Sequence, residues 1–378
     1  MRIGIVCYPT FGGSGVVATE LGKALAHKGH QIHFITYSQP VRLDAFSDNI
    51  FYHEVRVSDY PLFDYQPYEL VLSSKLVNVA KYEKLDLLHV HYAIPHASAA
   101  YMAKQILAAE GIHIPVITTL HGTDITLVGK DASFEPVITF AMNQSDAITS
   151  VSESLKEDTY KYFKVIKDIQ VIPNFVCLED YDKLDRNIKH KQMYAPNGEK
   201  ILIHVSNFRK VKRVGDVLKV FDKVRKKIPT KLILIGDGPE RTNIEKLCRE
   251  LDSCKDIRSL GKITNPENVL AVADLFLLTS ETESFGLAAL EAMAAKVPVI
   301  STNTGGTAEV NVHEFSGFLS KVGDVDDMAK NAIYILEDEK RLAQFKTNAY
   351  KQAQKFDIGK ILPQYEKLYE QIAAPVKL

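Results

Sequence analysis

The chain has no surplus of charge of either sign. Its 46 lysines and arginines face 47 aspartates and glutamates in 378 residues, a net charge of −1. A general nucleic-acid binder needs a basic excess to neutralise phosphates, so no nucleic-acid partner is expected. Glycine and proline are scarce, 20 and 15 residues, which argues against low-complexity linkers. Cysteine is scarcer still: Cys7, Cys177, Cys248 and Cys254, with no C-x-x-C pair. So scattered a set reads as reduced thiols in a cytoplasmic protein, not as a disulfide frame. No apolar run approaches the ~18 residues that span a bilayer. The first eight residues, ended by Pro9, are too short an apolar stretch for a signal peptide.

What the chain does have is an apolar content of 46%, enough for sizeable cores. At roughly 100–200 residues per domain, its length predicts two to three domains. Short apolar runs at 2–8, 31–37, 86–91, 116–120 and 147–151 read as strands of a first half. Runs at 200–205, 231–236, 273–279 and 297–302 read as strands of a second. Near-continuous apolar runs fit parallel strands covered on both faces. Between them lie helical patterns. Ser14 is placed to cap a helix that runs to Lys28 and stops at Gly29. Val214, Val217, Leu218, Phe221, Val224 and Ile228 recur at helical spacing. The alternation predicts a doubly wound α/β architecture in two halves facing a cleft. V-I-P-N at 171–174 marks the link, with domains at 1–172 and 173–356. A helical tail over 357–378 has no strand after it and is expected to cross back to the first domain. Ligands of such sheets bind at the carboxyl ends of strands.

Four segments fall at such ends. F-G-G-S-G at 11–15 opens a helix after the first strand, where free N–H groups favour an anion. Read as a dinucleotide fingerprint, Gly13, Gly15 and Ala18 fit loosely. The second strand, however, ends Thr36-Tyr37-Ser38, without the acidic residue that holds a ribose. T-L-H-G-T-D at 119–124 puts His121 at a strand end. His89, His91, His96 and His121 invite a zinc reading, but no Cys lies nearby and no helical H-x-x-x-H occurs, so no metal is expected there. R-K-V-K-R at 209–213 is suited to a diphosphate. The fourth segment is E-T-E-S-F-G-L-A-A-L-E at 281–291. It places a loop carboxylate, Glu283, before a helix that starts near Gly286, with Glu291 one to two turns in. A helix N-terminus between two carboxylates suits a sugar nucleotide, anionic in the middle and rich in hydroxyls at both ends.

The E-x₇-E pattern after an apolar strand resembles the retaining glycosyltransferases of family 4, which have the GT-B fold of two Rossmann-like domains. G-D-G-P at 236–239, G-G-T-A-E at 305–309 and S-E-S-L at 152–155 agree, and the resemblance covers the whole chain. It implies that the C-terminal domain holds the donor. Arg209 and Lys212 would bind the diphosphate, and Gly13 would close over it. Glu283 would bind the sugar with backbone N–H groups at Phe285, Gly286 and Leu287. Glu291 would take the ribose, Gly261 and Ile263 the uracil, and His121 the donor sugar. His121, Glu283, Arg209 and Lys212 form the expected catalytic set. Two positions depart from the family pattern. Asn207 stands where an arginine usually precedes the lysine by five residues, and Arg213 stands where glycine usually follows it.

Y-P-T-F-G-G-S-G at 8–15, H-V-H-Y-A-I-P at 89–95 and S-N-F-R at 206–209 resemble one branch of the family. That branch moves N-acetylglucosamine from UDP-N-acetylglucosamine to the hydroxyl of L-malate with retention. Ser14, Tyr92 and Thr119 would then contact the acceptor. A lipid or glycan acceptor is the alternative. It fits less well, because the aromatic stretch 59–68 is not basic and no membrane anchoring is expected. The resemblance implies no cofactor and no metal. It leaves open same-face attack against double displacement, and a homo-oligomer is compatible with it.

Overall fold

The computed structural model describes residues 1–43, 48–58, 65–127, 129, 131–185 and 188–373. Most of the aromatic stretch at 59–68 lies outside these residues. The chain divides into two compact units, Met1–Asn174 with Gly359–Leu378, and Phe175–Ile358.

The first unit carries β1 (Arg2–Val6), β2 (Gln31–Thr36), β3 (Ile50–Glu54), β4 (Leu87–His91), β5 (Val116–Leu120), β6 (Ala147–Ser150) and β7 (Ile169–Val171). They form one sheet in the order β3-β2-β1-β4-β5-β6-β7, and the pairs are parallel throughout. The second unit carries β8 (Lys200–Val205), β9 (Thr230–Ile235), β10 (Ile257–Gly261), β11 (Leu275–Leu278), β12 (Val299–Thr302) and β13 (Gly317–Ser320). Its order is β10-β9-β8-β11-β12-β13, again parallel. Six strands of each sheet thus follow the 3-2-1-4-5-6 order of the Rossmann fold.

Every strand that the apolar runs predict is present. The four that they miss, β3, β7, β10 and β13, are the outer strands of the two sheets. The cause is physical. Inner strands are covered on both faces and read as apolar runs, as in β4 and β11, where each residue is buried. β3 and β10 have no fully buried residue, and β7 is three residues long.

The first helix, Gly13–His27, begins two residues earlier than a Ser14 cap requires. Gly12 takes the cap position without a side-chain bond, and Ser14 lies in the first turn. Gly29 ends the segment with φ +88°, a conformation that glycine adopts without steric cost. The helix Val214–Arg225 buries Val214, Val217, Leu218, Phe221 and Val224 against β8, β9 and β11, with Ile228 packed at the margin. Each such aliphatic side chain contributes about 1.5–3 kcal/mol when fully buried. The tail forms a helix over Ile358–Ala373 whose Tyr365 and Tyr369 are completely buried, and the tail belongs to the first unit.

One expectation about cysteine is overturned. Cys248 and Cys254 form a disulfide. The helix Arg241–Glu250 ends between them, and the following turn brings their Cα atoms to 5.1 Å. This is a local loop closure that a search for C-x-x-C pairs does not register. Cys7 and Cys177 remain thiols. Among the described residues, no helix is long and apolar enough to cross a membrane.

Candidate functional site

In each unit the strand order reverses between two neighbouring strands, β1 and β4 in the first, β8 and β11 in the second. In open sheets of this kind, ligands bind outside the carboxyl ends of the strands at that reversal. Gly13, Ser14, Tyr92, Arg209, Lys212 and Glu283 follow these strands, whereas His121 follows β5 and Gly261 and Ile263 lie at the end of β10.

In the second unit, the loop after β8 carries Arg209 and Lys212, and the loop after β11 carries Glu283. Lys212 Nζ lies 2.6 Å from Glu283 Oε1, and both side chains are largely buried. Ser280 donates a second hydrogen bond of 2.7 Å to the same oxygen. Thr279 donates to the carbonyls of Lys212 and Arg213 at 3.0 and 3.1 Å, and the Glu281 N–H donates to the Val211 carbonyl at 2.8 Å. The two loops are therefore stitched together at the point where the charged groups meet. Arg209 is exposed, and Asn207 beside it is exposed too. Arg213 has φ +48°, the left-handed region that glycine occupies most readily. That explains why glycine is usual at this position. Here the arginine side chain is held instead by Asp216, at 2.6 Å.

The Glu283 loop is shaped from the other side by Gly305 and Gly306. A Cβ at Gly305 would stand 2.0 Å from the Glu283 carbonyl oxygen, and one at Gly306 would stand 2.4 Å from that of Ser284. The Gly306 N–H donates to the Glu283 carbonyl at 2.9 Å. Gly286, with φ +92°, caps the helix Leu287–Ala294, so Leu287 and its neighbours present the free N–H groups of a helix start. Phe285 is buried beneath, edge-on to Phe356. Glu291 lies within that helix, partly buried. Gly261 ends β10, and its carbonyl accepts from the Gly236 N–H at 2.8 Å. This puts Gly261 and the partly buried Ile263 along the same sheet edge.

In the first unit, Gly13 and Ser14 open the helix after β1, and Tyr92 follows β4 with φ +87°. The Tyr92 hydroxyl donates to Ser14 Oγ at 2.8 Å, closing the loop pair. His121 follows β5. Its Nε2 lies 2.8 Å from His91 Nδ1, and burial, with His96 nearby, pushes its pKa down to about 3. At neutral pH His121 is therefore an uncharged imidazole, able to hydrogen-bond a hydroxyl but not to supply a positive charge.

Thr119 does not stand where an acceptor contact requires it. It is fully buried, and its hydroxyl is engaged by His89 Nε2 at 2.7 Å and by Thr149 Oγ1 at 2.6 Å. Thr119 shares a face of the sheet with His121 but lies two residues further into β5, which is buried throughout, so it supports the site from within. His89 in turn reaches Tyr369 of the last helix at 2.7 Å. His89, His91, His96 and His121 come together: both nitrogens of His89, Nδ1 of His91 and His96 and Nε2 of His121 are hydrogen-bonded, while His91 Nε2 and His96 Nε2 are buried without a partner.

Sequence reasoning missed Ser280, Thr279 and Asp124. The first two sit directly at the end of β11, a position that could have drawn attention to them. Asp124 is buried and accepts N–H bonds from Ala93 at 2.8 Å and Gly122 at 3.1 Å. Burial, opposed by those donors, raises its pKa to about 6.

Comparison with known proteins agrees with this geometry. Residues 11–180 match the family model described as Glycosyltransferase Family 4, and residues 185–352 match Glycosyl transferases group 1. The N-acetyl-alpha-D-glucosaminyl L-malate synthase of Bacillus anthracis is 49% identical over 98% of this chain and 96% of its own length. Among solved structures, Anabaena Alr3699/HepE in complex with UDP and glucose superposes with a TM-score of 0.82. It is 19% identical, over 97% of this chain and 99% of that one. The sucrose-phosphate synthase of Thermosynechococcus elongatus gives 0.81 at 20% identity, over 99% of each chain. At these identities the two structures establish the fold, which is GT-B, and the sequence relative establishes the family. The chain is a glycosyltransferase, a member of glycosyltransferase family 4.

Proposed function

We propose that this protein transfers N-acetylglucosamine from UDP-N-acetylglucosamine to the hydroxyl of L-malate with retention of the α configuration, the opening step of bacillithiol biosynthesis. The observation that carries this reading is the 49% identity, over 98% of the chain, to the Bacillus anthracis L-malate synthase.

The donor belongs to the second unit. Lys212 and Arg209 hold the diphosphate, and the free N–H groups at the start of the helix Leu287–Ala294 add to them. Glu283 accepts from sugar hydroxyls, Glu291 accepts from the ribose, and the backbone at Gly261 and Ile263 borders the uracil. In the first unit, Gly13 reaches the diphosphate, His121 meets the donor sugar as a neutral imidazole, and Ser14 and Tyr92 meet the malate. Breaking the sugar–phosphate bond puts negative charge on the departing diphosphate. Cations and helix N–H groups fixed in advance stabilise that charge as it develops. Alignment of the malate hydroxyl with the anomeric carbon supplies a further share of the acceleration. Support for these roles comes from the Lys212–Glu283 pair and from the placement of Gly13, Ser14, Tyr92, Arg209, Lys212 and Glu283 after the strands that flank the two reversals.

The test is UDP release from UDP-N-acetylglucosamine in EDTA, with L-malate, D-malate or no acceptor. Release that depends on L-malate, with an α-linked product by NMR, is the expected result. UDP binding without L-malate-dependent release would discard the malate assignment and point to a lipid or glycan acceptor.

A further inference from the structure

Among the described residues, one group of three metal-ligating side chains converges, and it lies away from the residues of the transferase site. His33 on β2, His53 on β3 and Glu83 bring one ligand atom each to within 4.8 Å of one another. The topology explains the meeting. β2 and β3 are parallel neighbours in which His33 pairs with Phe51 and Ile35 with His53, so His33 and His53 are diagonal neighbours on one face. Ile35, two residues from His33, shares that face and packs in one core with Leu72 and Leu76 of the helix Tyr68–Tyr82. Glu83 follows that helix directly and brings its carboxylate to the two histidines.

We propose that His33, His53 and Glu83 form a zinc site that ties the outer strand β3 and the end of the helix Tyr68–Tyr82 to the sheet. Two imidazoles and a carboxylate are a ligand set that zinc takes with a water in fourth place. Calcium and magnesium call for oxygen ligands instead. The two nitrogens that face each other, His33 Nδ1 and His53 Nε2, stand 2.9 Å apart. Tetrahedral zinc with Zn–N bonds of about 2.0–2.1 Å needs them at ~3.3 Å, a shift of a few tenths of an ångström. The burial gradient also suits a bound ion: His33 is interior, His53 half-buried and Glu83 exposed, so the site is rooted in the sheet and open to water. Lys75 and Arg2 are the nearby cations, and Glu83 is the anion that offsets them.

The test uses the full chain stripped with EDTA and titrated with zinc chloride against a chromophoric chelator, with melting temperature followed in parallel. One equivalent of tight zinc and a rise in melting temperature are expected for the native protein, since a ligand that binds only the folded state stabilises it. His53→Ala should weaken that equivalent by at least ~100-fold, as loss of a ligand exceeds the roughly 10–100-fold cost of losing an outer-shell partner. Glu83→Gln, at an exposed position where folding is not at stake, should weaken it as well. Both variants should keep the metal-free transferase rate. Absence of a tight equivalent in the native chain would overturn the proposal. So would an equivalent that survives unchanged in either variant, since the zinc would then sit elsewhere.

Discussion

Lys212 and Glu283 stand 2.6 Å apart at the point where the loops after β8 and β11 meet. The pair joins the residue proposed for the diphosphate to the residue proposed for the sugar. Each fixes the other's position, and Ser280 donates a further hydrogen bond to Glu283. The same arrangement makes the two charges separable by mutation. Lys212→Ala removes the cation proposed to face the departing diphosphate. It should lower kcat/KM for the donor by about 10²–10³-fold, the range seen when one preorganised donor to a developing charge is lost. Glu283→Gln keeps the cation and should cost turnover while leaving UDP affinity near that of the native enzyme. Steady-state UDP release together with calorimetric UDP binding separates the two. Native UDP affinity in Lys212→Ala would remove Lys212 from the diphosphate.

Gly305 gives a second prediction, in which no charge changes. Its φ of +54° and the 2.0 Å approach of an added Cβ to the Glu283 carbonyl leave no room for a side chain. Gly305→Ala must therefore displace the loop that carries Glu283. Donor turnover should fall at least ten-fold, and the melting temperature should drop, as expected for a left-handed residue made to carry a Cβ, at about 1–2 kcal/mol for the conformation alone. Gly198 has φ +80° with nothing within 4 Å, so Gly198→Ala is the control: strain without a clash, and an unchanged donor KM. Equal loss of turnover in both variants would mean that the glycine contact does not shape the site.

How much of this was legible in the sequence depended on burial. Inner strands announced themselves as apolar runs, and β5 and β8 match their predicted limits. The outer strands β3 and β10 mix exposed and half-buried positions and carry no such signal. The E-x₇-E segment was readable because a loop carboxylate, a glycine and a helix start follow one another directly in the chain. The pairing of Lys212 with Glu283, 71 residues apart, was not readable, because it is set by which strands are neighbours. Thr119 shows the opposite error. Its place near a strand end suggested a ligand contact, whereas two residues of depth below His121 on the same face leave its hydroxyl to His89 and Thr149. The Cys248–Cys254 bond escaped for a similar reason: a helix end and a turn bring the sulfurs together, and no short motif marks them.

The buried histidines clustered around His121 give the last prediction, a pH dependence with a definite sign, which His33, lowered by burial to about 4, reinforces. Burial lowers His89 and His121 to about 3, lowers His96 to about 4, and holds His91 well below its ordinary value. The unfolded chain takes up these protons near pH 6.5, so it binds more protons than the folded chain between that pH and the folded values. The stability these groups contribute is complete above about pH 6.5. It is lost as pH falls, at up to about 1.4 kcal/mol per pH unit for each group. Asp124 works in the opposite direction. Its folded pKa, raised to about 6, lies above the ordinary 3.8, so its contribution is complete at low pH and is lost as pH rises through 6. Four histidines outweigh one aspartate, and the melting temperature should fall on going from pH 7 to pH 5. Asp124→Asn removes the opposing group, so the fall between pH 6 and 4 should steepen whatever the variant's stability at neutral pH. A melting temperature that stays level from pH 7 to pH 5 would mean that the four imidazoles take up protons without unfolding. The neutral His121 on which the proposed donor-sugar contact depends would then have to be abandoned.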